Sequence, residues 1–143
     1  MKSSRKKIIA AAASIISIIA LTVLVIYLKS VADYKKAVKQ TSFNEIDISG
    51  TPDGIYTGEY DVNFIYAKVE VAVKNGRITD IKILEHKNGR GGPAEAVINK
   101  IIEEQKIDVD AVSGATNSSA VIKKAVENAL TEQPAQSESQ KPD

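Results

Sequence analysis

The 143 residues carry 19 Lys and Arg against 18 Asp and Glu, a formal charge of +1, with one histidine and no cysteine. Without cysteine there is no disulfide, iron–sulfur ligand set, CxxCH haem attachment or lipid-modified thiol, and a lone histidine gives no repeated metal-ligand spacing. A near-neutral balance argues against a strong nucleic-acid binder, which needs a marked basic excess to neutralise phosphates.

Residues 1–7 form a basic tail with Lys2, Arg5, Lys6 and Lys7. Residues 8–28, IIAAAASIISIIALTVLVIYL, hold no charge. A bilayer core of ~30 Å needs ~20 helical residues, so this run is long enough to span. Ser14, Ser17 and Thr22 are tolerable there because a helix lets hydroxyls bond back to its own carbonyls. A cleaved signal peptide is the rival reading, since Ser30-Val31-Ala32 before Asp33 has the small-x-small form of a cleavage site. The run exceeds the ~7–15 residues of a signal core, which favours a transmembrane anchor. Lys29, Lys35, Lys36 and Lys39 on the far side nearly balance the basic tail. The short, dense tail is read as cytoplasmic, giving a single-pass cell-membrane protein with an extracytoplasmic C-terminal domain.

Residues 29–52 read as a linker. VADYKKAVKQ can prolong the helix by a turn or two, and TSFNEIDISGTPDG clusters turn formers near its end. As a flexible coil these residues span roughly 25–30 Å, from ~5–6 Å × √n. Residues 131–143, TEQPAQSESQKPD, are too polar to build a core and read as disordered. One compact unit, 53–130, remains.

Within it, GIYTGEY is a first short strand. In the next, Val69, Val71 and Val73 alternate with Lys68, Glu70 and Lys74, which puts the valines on one face. Asn75-Gly76 predicts a type I′ hairpin turn, which needs positive φ at both positions. RITDIKILEH returns as the partner, and Ile78 is out of phase with Ile81 and Ile83, which predicts a bulge near Thr79-Asp80. After the loop KNGRGG, Pro93 suits a first helical position. Ala94, Val97, Ile98, Ile101 and Ile102 then make one helical stripe. A second helix, about 118–130, repeats the device with Val121, Ile122, Ala125, Ala129 and Leu130. The expected fold is α+β: a small antiparallel sheet with two helices packed on one face, preceded by an N-terminal transmembrane helix.

DAVSGATNSS, residues 110–119, sits before that last helix. Asn117, Ser118 and Ser119 are good helix N-caps, so the stretch can be a capping loop that turns at Gly114. The capping loop is the commoner use of such a stretch, but the stretch can also hold phosphate. A helix N-terminus offers free N–H groups and a positive dipole end, Gly114 permits close backbone approach, and Ala115 leaves room. A threonine here can engage a phosphate by hydrogen bond or by ester.

Asp110-Ala111-Val112-Ser113-Gly114-Ala115-Thr116 resembles the D-x-x-S/T-G-A-T/S signature of the FMN-binding domain family. That domain occurs in the flavin subunits of the sodium-translocating NADH:quinone reductase and of the Rnf complex. It is also found in small membrane-anchored or exported flavoproteins of extracellular electron transfer. DGIYTGEY, VEVAVKNGRITDIKILEH and the helix–signature–helix order extend the resemblance over 53–130. The resemblance implies that Thr116 carries covalent FMN through a phosphoester, with Asp110, Ser113, Gly114 and Ala115 as the recognition signature. It also implies a flavin transferase that installs FMN from FAD with a divalent metal.

The expected protein is a membrane-anchored electron carrier rather than a substrate-specific enzyme. A quinone or dehydrogenase would be its upstream donor, and an external acceptor would take the electrons. The alternatives are a non-covalent flavin-binding or sensing module, a flavin subunit of a larger membrane redox complex, and a purely structural domain. Tyr56, Tyr60, Phe64 and Tyr66 are candidate flavin platforms, though each suits core or strand surface better. Arg90, His86 and the KNGRGG loop are weighed in the same way against solvated, structural and connecting roles.

Overall fold

The computed structural model describes residues 2–87 and 92–131. They divide into two compact units, with the boundary between Lys36 and Ala37. Helix α1 (Lys2–Gln40) makes up the first unit, and its last turn belongs to the second. Its apolar side chains from Ile8 to Leu28 are exposed along the whole run. The helix has the length and composition of a membrane span, a test that an N-terminal signal sequence also passes. As expected for polar residues in such a helix, Ser14 Oγ donates to the Ala10 carbonyl (3.0 Å) and Thr22 Oγ1 to that of Ile18 (2.8 Å).

The second unit is an antiparallel sheet in the order β1 (Gly54–Asp61), β2 (Tyr66–Lys74), β3 (Arg77–Lys87). Helices α2 (Val97–Glu104) and α3 (Thr116–Thr131) pack on it. Alternation decides the faces. Tyr56 and Gly58 of β1, then Ala67, Val69, Val71 and Val73 of β2, point inward, while Lys68, Glu70 and Lys82 lie opposite. Val121, Ile122, Ala125, Val126 and Ala129 of α3 and Val97 and Ile101 of α2 complete the core. The outer face is laced by the pairs Lys68–Glu59 (3.7 Å) and Lys82–Glu70 (3.3 Å).

The hairpin turn is as expected: Asn75 and Gly76 have φ of 52° and 67°. The bulge is there too. Ala72 pairs with Asp80 and Val73 with Ile78, so Thr79 is the extra residue and Ile78 returns to the inner face with Ile81. A second bulge at Leu84 has no clear mark in the sequence. The Gln105 side chain ties down the first bulge, accepting from the Ile78 N–H (2.9 Å) and donating to the Ile78 carbonyl (2.8 Å). Pro93 sits in a 3-10 turn, Gly92–Ala96, and the α-helix proper begins only at Val97.

Residues 37–52 differ most from the flexible coil expected of them. The helix runs to Gln40, and the chain then lies against the domain. Thr41 Oγ1 bonds the Ala37 carbonyl and lies 3.5 Å from the Tyr60 hydroxyl. Lys124 Nζ donates to the Ser42 carbonyl (3.2 Å), Lys123 Nζ sits 4.1 Å from the centre of the Phe43 ring, and Asn44 Nδ2 donates to Glu127 Oε1 (2.8 Å). Ile48 is buried in a 3-10 turn, Ile48–Gly50, which Asp47 caps through the Ser49 N–H. The Ser49 hydroxyl, with the Ser49 amide, holds the Asp47 carboxyl below its usual range. Among the described residues, the hydrogen-bond and cation–π partners of residues 42–44 lie on α3, about eighty residues away, so local composition could not reveal the docking.

Tyr66 offers a test of the sheet register. Its hydroxyl donates to Glu59 Oε2 (2.8 Å), and this bond to the neutral phenol, with burial and the Glu59 charge behind it, pushes its pKa up to about 12. The raised value means the fold favours the phenol, so its contribution is intact below ~10 and is lost as pH rises through about 12. A tyrosinate absorbance titration, taken as the difference between wild type and Tyr66→Phe, should show that late transition. In a Glu59→Gln background it should move back toward 10.

Candidate functional site

The signature residues form the passage from α2 into α3. After Gln105, which takes left-handed geometry (φ 51°) beyond the end of α2, Ile107 and Val109 are buried and fix the chain on the core. Lys123 holds the same stretch from α3. Its ammonium donates to the Val109 carbonyl (2.8 Å) and to Asp108 Oδ1 (2.9 Å), with its side chain only 7 % exposed. The same ammonium lies over Phe43, so one buried cation joins α3, the approach to the signature and the docked segment 41–52.

Asp110 is exposed, and its carbonyl accepts from Lys100 Nζ (3.2 Å) on α2. The chain then makes a tight turn in which the Ala115 N–H donates to the Val112 carbonyl (3.0 Å). Gly114 is the third residue of that turn, with φ of +78°. A turn of this kind with positive φ at its third position selects glycine, because a Cβ there would crowd the following carbonyl. A Cβ at Gly114 would otherwise meet nothing within 4 Å, so the space over the turn is open. Ser113 and Thr116 are exposed, and Ala115 is buried.

Helix α3 begins at Thr116, two residues before the expected start. The Ala115 carbonyl accepts the first helical bond, from the Ser119 N–H (2.9 Å), so Ala115 occupies the N-cap position. Asn117, Ser118 and Ser119 therefore lie inside the helix and do not cap it. Alanine has no side-chain oxygen, so the N–H groups of Thr116, Asn117 and Ser118 receive no bond from the cap residue. They sit at the positive end of the helix dipole beside an exposed hydroxyl. The structure thus brings Gly114, the first N–H groups of α3, which donate to no side chain among the described residues, and Thr116 together. Asp110 and Ser113 lie at the loop surface.

Among the aromatic candidates, Tyr56 is a core residue whose hydroxyl donates to the Pro52 carbonyl (2.7 Å). Tyr60 faces Thr41, and Tyr66 is engaged by Glu59. Phe64 is exposed in the β1–β2 connection. The Leu84 bulge turns His86 inward, where its ring is 2 % exposed and Nδ1 lies 3.0 Å from Glu95 Oε1. Of the KNGRGG loop, residues 88–91 lie outside the described residues, and with them the expectation for Arg90. A cleft of about 620 Å³ lies elsewhere, between the segment around Asp47 and the β2–β3 hairpin, and no signature residue lines it.

Three residues of consequence escaped the sequence reading. Ser119 was read only as a cap. Lys123 carries no mark in the sequence that sets it apart from other helix lysines. Gly58 is the point where α3 crosses β1: a Cβ there would fall 2.2 Å from the Ala129 nitrogen and 2.3 Å from the Ala125 oxygen. A glycine inside a strand is the available hint of close backbone approach, though it does not name the neighbour.

Lys123→Met keeps a flexible side chain over Phe43 but removes the ammonium from the Val109 carbonyl. It is expected to cost about 1–3 kcal/mol, the usual range for a lost charge-assisted bond to a buried acceptor, because Asp108 is exposed and regains water. Chemical denaturation of the full chain in detergent measures it.

Residues 65–131 match the FMN-binding domain family. No curated protein and no solved structure matches the chain. The matched range holds β2, β3, both packed helices and the whole turn from Asp110 to Thr116, with Thr116 exposed beside helix N–H groups that suit a phosphate. The chain carries an FMN-binding domain over residues 65–131.

Proposed function

We propose that Thr116 carries FMN through a phosphoester and that the protein is a membrane-anchored electron carrier with its domain on the extracytoplasmic side. The observation that carries this reading is the exposure of Thr116 as first residue of α3, behind a cap residue with no side-chain oxygen, inside an FMN-binding domain. A buried threonine, or one whose neighbouring amides were already capped, would not suit the chemistry.

In the attachment step the Thr116 hydroxyl gives its proton up to solvent and its oxygen bonds to the phosphorus of the flavin half of FAD. The pyrophosphate bond breaks, and AMP leaves with the electron pair. A transferase using a divalent metal supplies the activation, since the chain places no general base against Thr116 among its described hydrogen bonds. The domain contributes an accessible nucleophile and a place for the product. The N–H groups of Thr116, Asn117 and Ser118 and the helix dipole favour the diester anion by ~0.3–1 kcal/mol. Gly114 leaves the approach open. Once attached, FMN supplies the redox chemistry, and the protein supplies tether, orientation and local charge.

The upstream donor in this reading is a membrane quinone or dehydrogenase, and the acceptor is external. Helix α1 serves as the anchor, supported by its charge-free run and by the short basic tail on one side. The test is peptide mapping by mass spectrometry of the full-length protein co-expressed with a flavin transferase. The flavin mass should lie on the peptide that contains residues 110–116. Wild-type protein left unmodified beside an active transferase would overturn the reading, and flavin located on another peptide would overturn the assignment to Thr116.

A further inference from the structure

We infer that Ser119 is the positioning residue for Thr116: its buried hydroxyl clasps both ends of the signature turn and replaces the missing cap without occupying the phosphate-facing amides. The inference rests on the proposed attachment of FMN at Thr116 and adds to it a requirement that the signature does not contain.

Ser119 is fully buried. Its hydroxyl accepts from the Val112 N–H (3.0 Å) and donates to the Ala115 carbonyl (2.9 Å), which also accepts from the Ser119 N–H. Val112 and Ala115 are the first and last residues of the turn, already joined by the Ala115 N–H to Val112 carbonyl bond. One side chain therefore closes a second ring over the same four residues. The hydroxyl uses its single donor and one acceptor site in doing so, which fixes its rotation.

The location of this clasp matters for chemistry. An ordinary N-cap serine, threonine or aspartate accepts from the N–H of the second or third helical residue, here Asn117 or Ser118. A capping oxygen at 115 would thus compete with a phosphate for the same donors. Alanine at 115 removes that competitor, but leaves the turn without the bond that usually sets the angle of chain entry. Ser119 restores the constraint from inside the helix, through the far side of the turn. The result is a braced turn whose helix amides take no bond from the Ala115 side chain and are followed by an exposed Thr116. Removal of the hydroxyl leaves the core residues of α3 in place and loosens residues 112–115, so the reacting oxygen is presented over a wider range of positions.

The experiment compares full-length wild type, Ser119→Ala and Ile122→Val, the last a core change on the same helix that removes none of the clasp's hydrogen-bonding groups. Two readouts are taken. The first is the rate of flavin incorporation by a flavin transferase with FAD, resolved into kcat and KM for the protein substrate. The second is hydrogen exchange without transferase or flavin. Ser119→Ala should lower kcat/KM on the order of 10- to 100-fold, chiefly in kcat, the scale expected when a reacting group loses its alignment. Exchange should rise at the Val112 amide and across 110–116 while β2 stays protected. Ile122→Val should flavinylate at the wild-type rate.

Wild-type incorporation in Ser119→Ala, or a loss matched by Ile122→Val, would overturn the inference. If wild type itself takes no flavin, the proposed function fails instead. The exchange readout still judges the clasp in that case, and unchanged exchange at Val112 would overturn it independently.

Discussion

Gly58→Ala is expected to destabilise the domain by at least about 3 kcal/mol, and to lower its thermal midpoint by roughly 10 °C or more, on the usual 4–8 °C per kcal/mol for a domain of this size. The new methyl would stand 2.2 Å from the Ala129 nitrogen and 2.3 Å from the Ala125 oxygen. Both atoms are helix backbone, so no rotamer change relieves the clash. Either β1 bends away from β2 at the Gly58–Val69 pair, or α3 lifts from the sheet. The second response withdraws Val126 and Ala129 from the core they fill. It also shifts Asn128, whose side chain donates to the Glu59 carbonyl beside the contact. Five tyrosines and no tryptophan make tyrosine fluorescence the convenient probe of unfolding in detergent. A change below about 1 kcal/mol would show that α3 does not cross β1 this closely.

Thr116→Ala should abolish covalent flavin while leaving the fold almost untouched. The side chain is exposed, and alanine has the better helix propensity, so stability should change by less than about 1 kcal/mol. Thr116→Ser keeps the hydroxyl on the same backbone position and should retain attachment. In-gel flavin fluorescence after denaturing electrophoresis, with unfolding curves on the same samples, separates loss of the nucleophile from loss of the fold. Fluorescence persisting in Thr116→Ala would place the bond elsewhere. Ser113 would then be the first alternative, since it is the other exposed hydroxyl of the turn. Equal flavin content in native wild type and variant, lost from both on denaturation, would favour a non-covalent domain.

The two largest effects differ in how far the sequence announced them. Thr116 belongs to a contiguous motif, and contiguous features were the readable ones. Asn75-Gly76 fixed the hairpin because its backbone requirement is local, and the Val69, Val71, Val73 alternation fixed the inner face. The phase break at Ile78 announced its bulge. The bulge at Leu84 stayed hidden, because exposed Leu84 and half-buried Ile83 carry similar side chains and give no polarity contrast to mark the shift.

What stayed illegible depends on distant partners. Gly58 matters through a helix some seventy residues later. Residues 41–52 have the composition of a linker, yet Phe43 and Asn44 find Lys123 and Glu127 waiting on α3. Nothing in the sequence around Lys123 and Glu127 sets them apart from other charged helix residues. In the fold both are buried: Lys123 is held by Val109 and Asp108, and Glu127 by Asn44 and Lys124. The start of α3 was misjudged for a related reason. Hydroxyls at 117–119 suggest caps, whereas the residue that ends the turn is Ala115, and the serine that stabilises it reaches back from a full turn inside the helix.

The most direct test of the central claim is retention of flavin by the unfolded polypeptide. The full-length protein, co-expressed with a flavin transferase and solubilised in detergent, is unfolded in guanidinium and passed through a filter that retains the chain. A phosphoester at Thr116 predicts that the yellow chromophore stays with the retained protein, in a ratio near one, and is missing from Thr116→Ala. Flavin recovered in the filtrate, with a colourless chain left behind, would contradict the account.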